Sequence, residues 1–138
     1  MLSSTVYGKY TRALRLCGRF TLALGKLPEN GALLHGHCHQ KAFNTVGAVE
    51  SVLRLIPGLA VKTFDSTCCG MAGAFGYEAE HYDMSLKIGE LAVLPTIRAA
   101  AAETLIVAGG TSCRHQIADG AARQAEHVAR ILDRASAP

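Results

Sequence analysis

Thr104-Leu105-Ile106-Val107-Ala108-Gly109-Gly110-Thr111-Ser112-Cys113 decides how the rest of the chain is read. Leu105 to Ala108 is an unbroken apolar run with β-branched residues at its centre. A strand with one solvated face alternates, so an unbroken run is the pattern of a strand buried on both faces, as in the middle of a parallel sheet. It hands the chain to a Gly-Gly loop and then to a cysteine. Upstream, the turn Pro28-Glu29-Asn30-Gly31 precedes a second buried run, Ala32-Leu33-Leu34-His35, which leads to Cys38. A third run, residues 59–64 with Leu59, Val61 and Thr63 alternating, leads to Cys68-Cys69.

Between these runs the apolar period lengthens. Val46, Val49, Leu53 and Ile56 recur every three or four residues and predict a helix that Pro57-Gly58 ends. Tyr82, Leu86, Ile88, Leu91 and Leu94 predict a helix over about 78–94, which Pro95 kinks or restarts. Val128, Ile131 and Leu132 predict a last one over 125–133. Strand and helix alternating three times is the signature of a small parallel sheet with helices on both faces, a Rossmann-like three-layer α/β domain. Ligands of such sheets sit beyond the carboxyl ends of the strands. All three cysteine sites follow predicted strand ends, so the fold is expected to gather them on one edge. This domain is expected to occupy residues 27–138. Residues 1–26, with Leu14, Leu16, Phe20 and Leu24 around Gly18 and Gly25, are expected to form one or two turns of helix.

Apolar residues make up 49% of the 138 and charged residues 18%, which excludes a disordered chain. The net charge of +3 is spread at helical spacing without interleaved aromatics and gives nucleic-acid binding no support. No run reaches a membrane span and no signal peptide opens the sequence, so a cytoplasmic protein is expected. In that setting five cysteines point to ligands or reactive thiols rather than disulfides.

Four of those cysteines, Cys38, Cys68, Cys69 and Cys113, supply the count that a zinc ion or a four-iron cluster needs. Spacing does not choose between the two, since the chain has neither a ferredoxin run nor a zinc-ribbon knuckle. Adjacent cysteines suit a cluster better, because side chains diverging from neighbouring α-carbons can meet different irons. Gly70, Gly73 and Gly76 either let backbone N–H groups approach a cluster or serve close packing of a strand-to-helix connection. His115 is the candidate for a fifth ligand or a donor beside the ligands. Arg114 is the candidate for neutralising cluster charge, with an exposed loop position as its alternative. His35, His37 and His39 read as polar residues of a strand end on the face opposite Cys38, so that at most one of them could bend into the same coordination sphere. His127 is open between capping a strand end and an ordinary surface position. Cys17 stands outside the pattern as a free thiol.

Three motifs, His37-Cys38-His39-Gln40-Lys41-Ala42, Cys68-Cys69-Gly70-Met71-Ala72-Gly73-Ala74-Phe75-Gly76-Tyr77-Glu78 and Gly110-Thr111-Ser112-Cys113-Arg114-His115-Gln116, resemble the cysteine-rich CCG domain. That domain occurs in iron-sulfur subunits of glycolate oxidase, lactate-utilisation and anaerobic glycerol-3-phosphate dehydrogenase systems, in heterodisulfide reductase, and at the C-terminal end of FAD-linked oxidases. The resemblance implies an electron relay that takes electrons from a flavin-binding partner oxidising a 2-hydroxy acid or similar substrate. It also implies that Cys38, Cys68, Cys69 and Cys113 hold a 4Fe-4S cluster, with FAD only in a partner or fused domain; the alternative is a zinc-bound or metal-free structural or docking module without a redox role. The sequence departs from the family at Gln116, where a further cysteine is usual, and in carrying one copy of a repeat that is usually doubled.

Overall fold

The computed structural model describes residues 12–16 and 20–136. Cys17 lies outside them. The described chain forms two sheets. Strands β1 (Arg12–Leu16) and β2 (Phe20–Leu24) pair antiparallel. Strands β3 (Gly31–His35), β4 (Ala60–Thr63), β5 (Leu105–Ala108) and β6 (Ala125–Glu126) form a parallel sheet in the order β4-β3-β5-β6. Six α-helices complete the described fold: α1 (Cys38–Ala42), α2 (Val46–Leu53), α3 (Tyr82–Glu90), α4 (Val93–Arg98), α5 (Thr111–Ala121) and α6 (Val128–Ser136).

The sheet confirms the parallel three-layer architecture and explains its sequence pattern. The central strands β3 and β5 are buried on both faces, and β5 is buried at every residue. The edge strand β4 alternates between exposed and half-buried positions. Alternation of side chains then sorts the core into two layers. Leu33, Ile106 and Ala108 share one face with residues of α4 and α5. Ala32, Leu34, Leu105 and Val107 share the other with Leu53, Ile131 and Ala135 of α2 and α6.

Strand order fixes where a ligand can sit. From β3 the chain crosses to β4 on one side, then returns past β3 to β5 on the other. The carboxyl ends of β3 and β5 are therefore neighbours, with His35 in register with Ala108. Such a reversal opens a crevice at the ends of the two strands. Cys38 and Cys113 lie just beyond those two ends, and the loop after β4 brings Cys68-Cys69 to the same edge.

Four local expectations are corrected. The N-terminal segment pairs as strands over its described residues instead of forming helical turns; Leu14 and Leu16, and Phe20, Leu22 and Leu24, recur at every second residue, a strand period. Cys113 belongs to the first turn of helix α5 rather than to a loop. The last helix starts at Val128, and Ala125–Glu126 before it adds a fourth parallel strand. The 78–94 helix begins only at Tyr82, after two 3-10 turns over Phe75–Tyr77 and Ala79–His81. The chain does restart near Pro95, which sits in the first turn of α4, where a missing N–H costs nothing. Among the described residues no helix is long and apolar enough to cross a membrane.

Candidate metal centre

The loop after β3 is set by a reciprocal cap. His37 is the N-cap of α1: its Nδ1 accepts the His39 N–H at 3.3 Å, while Gln40 Oε1 accepts the His37 N–H at 3.0 Å. This capping box ends the extended run and makes Cys38 the first helical residue. The expected alternation of His35, His37 and His39 opposite Cys38 is thereby broken. His35 stays on the strand, fully buried, and His37 and His39 turn with the helix.

The vicinal pair is held by its own following amides. The Gly70 N–H donates to Cys68 Sγ at 3.3 Å, and the Met71 N–H donates to Cys69. Gly70 has φ +100°, and a Cβ there would stand 2.0 Å from the Ser85 carbonyl oxygen, so only glycine fits. Gly73, at φ +72°, has open space beside it and lines the cavity at the cysteines. Gly76 is pressed against Met71 and Ser85, a packing position.

The four cysteines at this edge are free thiols, and Cys38 and Cys113 each feel both Cys68 and Cys69. Cys69 and Cys113 form the buried inner pair, 3% and 0% exposed, and Cys38 and Cys68 the half-buried outer pair. The sulfurs of the inner pair and a ring nitrogen of His35 lie within 4.8 Å of one another. A cavity of about 220 Å³, lined by His37, Cys38, His39, Cys68, Cys69, Ala72, Gly73 and Ser112, opens onto the outer pair. Among the described residues a wider groove of about 510 Å³ around Arg114, Glu126, His127, Arg130 and Arg134 contains no sulfur.

Protons are unequally shared at the centre. The hydrogen bond from Cys113 holds the Cys69 thiol well below its ordinary value against the opposing effect of burial, with help from His35 and the Met71 amide. The same hydrogen bond, and then burial, push Cys113 up. Burial, and then the Cys68 thiol, push Cys38 up. Of the inner pair, Cys69 is thus the more readily deprotonated, with Cys113 as its hydrogen-bond donor. A metal binds thiolates, so its arrival would release the protons that the other thiols retain.

His35 extends the site inward. Its Nδ1 is 3.0 Å from Ser66 Oγ, and its Nε2 is buried with no hydrogen-bond partner among the described residues. Lys41 Nζ donates to Ser66 Oγ at 2.9 Å, to the Thr67 carbonyl at 3.3 Å and to the Ser66 carbonyl, tying α1 to the loop that carries Cys68-Cys69. The buried group of His35, Cys69 and Cys113 can hold a metal. Soft sulfur donors from three segments and amides aimed at sulfur form a set that fits zinc or an iron-sulfur cluster, with the His35 ring at its inner edge.

Other expected site residues lie elsewhere. His115 is exposed on α5, its Nδ1 2.7 Å from the Tyr77 hydroxyl, and is not among the groups that meet at the inner sulfurs. The Arg114 guanidinium donates to the carbonyls of Ala108 and Gly109 at 3.1 and 2.9 Å, closing the end of β5. His127 Nδ1 accepts the Ala129 N–H at 3.1 Å and so caps α6. Gln116 is 3% exposed, and its Nε2 donates to the Ser85 carbonyl and hydroxyl at 3.0 and 3.1 Å, tying α5 to α3 behind Gly70. Gln116 is thus a structural amide.

The fold and site define a parallel α/β domain with a thiol-rich centre at its strand switch point. Its sequence is 33% identical over 117 residues to a subunit of the anaerobic glycerol-3-phosphate dehydrogenase of Escherichia coli strain K12, and equally to that of Escherichia coli O157:H7. The alignment covers 85% of this chain and 29% of each relative, so the chain spans under a third of the proteins it matches. No family model matches the chain. No solved structure matches it.

Proposed function

We propose that the chain is an iron-sulfur electron-transfer module in which Cys38, Cys68, Cys69 and Cys113 hold a 4Fe-4S cluster, serving a flavin-bearing dehydrogenase that oxidises a hydroxylated small molecule. The observation that carries this reading is the gathering of four free thiols from three segments at one sheet edge, Cys69 and Cys113 buried and Cys38, Cys68 and Cys69 lining one cavity. The homology to a component of a dehydrogenase gives that donor set a redox context. Bound there, a cluster would supply one-electron transfer, which links a two-electron flavin to a single-electron acceptor.

The residues would divide the work by position. Cys69 and Cys113 would anchor the group from the core, and Cys38 and Cys68 would hold its outer side, where electrons enter or leave. The Gly70 and Met71 amides would stabilise negative charge on sulfur. Lys41 would add positive charge at the rim and fix the two carrying segments together.

A second reading, a zinc ion held by Cys69, Cys113 and His35, is favoured by the compactness of that trio. Anaerobic reconstitution followed by iron, sulfide and zinc analysis separates the two. About four irons and four sulfides per chain, with absorbance that bleaches on reduction, is the expected result. Stoichiometric zinc taken up in preference to iron would overturn it.

A further inference from the structure

We propose that His35 is a positioning residue of the thiol centre, locked by Ser66 and Lys41 in the tautomer that carries its proton on Nε2 and donates it to the Cys69 sulfur, and is therefore not a metal ligand itself. The tautomer and the donor role follow from the protein alone; only the consequence for a redox potential rests on the cluster reading above.

The argument is an accounting of hydrogens. Lys41 Nζ is an ammonium that can only donate, and it lies 2.9 Å from Ser66 Oγ. That occupies one lone pair of the hydroxyl, and Ser66, 8% exposed, must then place its own proton. Among the described residues the acceptor within reach of Oγ is His35 Nδ1, at 3.0 Å. Ser66 therefore donates to Nδ1, and a neutral imidazole that accepts there carries its hydrogen on Nε2.

Nε2 is otherwise orphaned: fully buried, without a nitrogen or oxygen partner among the described residues, on a ring that sits beside the inner sulfurs. An N–H aimed at a sulfur is satisfied, whereas a bare nitrogen lone pair there would face the lone pairs of sulfur. The opposite tautomer, which a metal-ligating Nε2 requires, would bury the Ser66 proton without an acceptor and still leave Lys41 donating to the same oxygen. Phe64, its ring centroid 5.8 Å away, packs against the imidazole and restrains its rotation. Lys41 is pinned in turn by its donations to the Ser66 and Thr67 carbonyls.

Alternation along β3 puts His35 on the same side as Leu33, the side on which Cys69 and Cys113 are buried. With a cluster bound, an N–H donated to ligand sulfur stabilises the more negative, reduced state and raises its potential. Removing it should move the midpoint to more negative values without removing iron.

Two measurements on the full chain test this. In the first, long-range proton-nitrogen NMR of nitrogen-15 histidine in the metal-free protein is expected to show His35 protonated at Nε2 and bare at Nδ1. Ser66→Ala is expected to shift it to a tautomer mixture. Protonation at Nδ1 in the wild type would overturn the proposal. In the second, wild type, His35→Gln, His35→Leu and Ser66→Ala are loaded anaerobically and titrated by electron paramagnetic resonance. Equal iron per chain is expected, with the midpoint most negative for His35→Leu and less displaced for His35→Gln, whose amide can still donate. Iron loss in both His35 variants, or an unchanged midpoint in all three, would overturn it. If the wild type takes up no iron, the cluster reading fails by itself and the NMR result decides His35.

Discussion

On one face of the sheet, Leu34 and Val107 pack against Leu53 of α2 and Ile131 of α6, and every buried side chain of that layer is aliphatic. On the other, Leu33 and Ile106 pack against Ile97 and Ile117, but toward the strand ends the layer turns to sulfur: Cys69, Met71 and Cys113. The same two strands build both layers. The aliphatic layer is closed by β2, whose neighbour Gly25 donates its N–H to the Ala135 carbonyl at 2.7 Å, and by ion pairs from Arg134 to Glu29 and Glu126, each 2.5 Å. The sulfur layer is closed by polar clamps, Gln116 on Ser85 and Lys41 on Ser66. One layer needs only to exclude water. The other must also hold thiols and the polar groups that face them, so its stability and its chemistry are separable.

The largest effect should come from breaking the aliphatic layer. Leu34, on the central strand β3, is 1% exposed, and Leu34→Ala should cost about 2–5 kcal/mol from lost transfer energy and the cavity left behind. A urea midpoint measures that cost, and iron uptake per folded chain should be unchanged.

The reverse outcome is expected in the sulfur layer. Cys113→Ser should cost about 1–3 kcal/mol in the metal-free chain, since a hydroxyl replaces a soft apolar group in the core. In anaerobic reconstitution it should lose nearly all iron. If it retained iron while Leu34→Ala lost it, the division between the layers would be wrong.

The smallest effect concerns the ion pairs. Burial pushes the Glu29 carboxyl up, but the hydrogen bond and charge of Arg134 outweigh it and hold the group below its ordinary value. A carboxyl depressed in the folded state stabilises the fold above its unfolded pKa, and that contribution disappears as pH falls through the folded pKa. Glu29→Gln should therefore lower stability by about 1 kcal/mol or less at neutral pH. Wild type and variant should converge in urea titrations below the ordinary carboxylate range; a constant gap down to pH 3 would assign the loss to packing.

The central strands, the parallel three-layer class and the position of the cysteines beyond strand ends are all legible in the order of residues alone. A strand buried on both faces needs an unbroken apolar run, and a parallel crossover needs a helix, whatever the rest of the chain does. The two-residue β6 escapes such a reading because it carries no pattern of its own, whereas Leu14, Leu16, Phe20, Leu22 and Leu24 do carry a strand period that the glycines between and after them obscure.

Which polar residues meet the thiols is a matter of packing instead. His35 reads as an ordinary strand end, and its neighbourhood depends on which face of the sheet receives the crossover that carries Cys69. Ser66 and Lys41 are far apart in sequence and join His35 only when α1 closes over the loop after β4. His115 is well placed along the chain, two residues after Cys113, but a helix begins at Thr111 and turns it outward to Tyr77. Position along a chain tells where a side chain starts; the helix that carries it decides where it points.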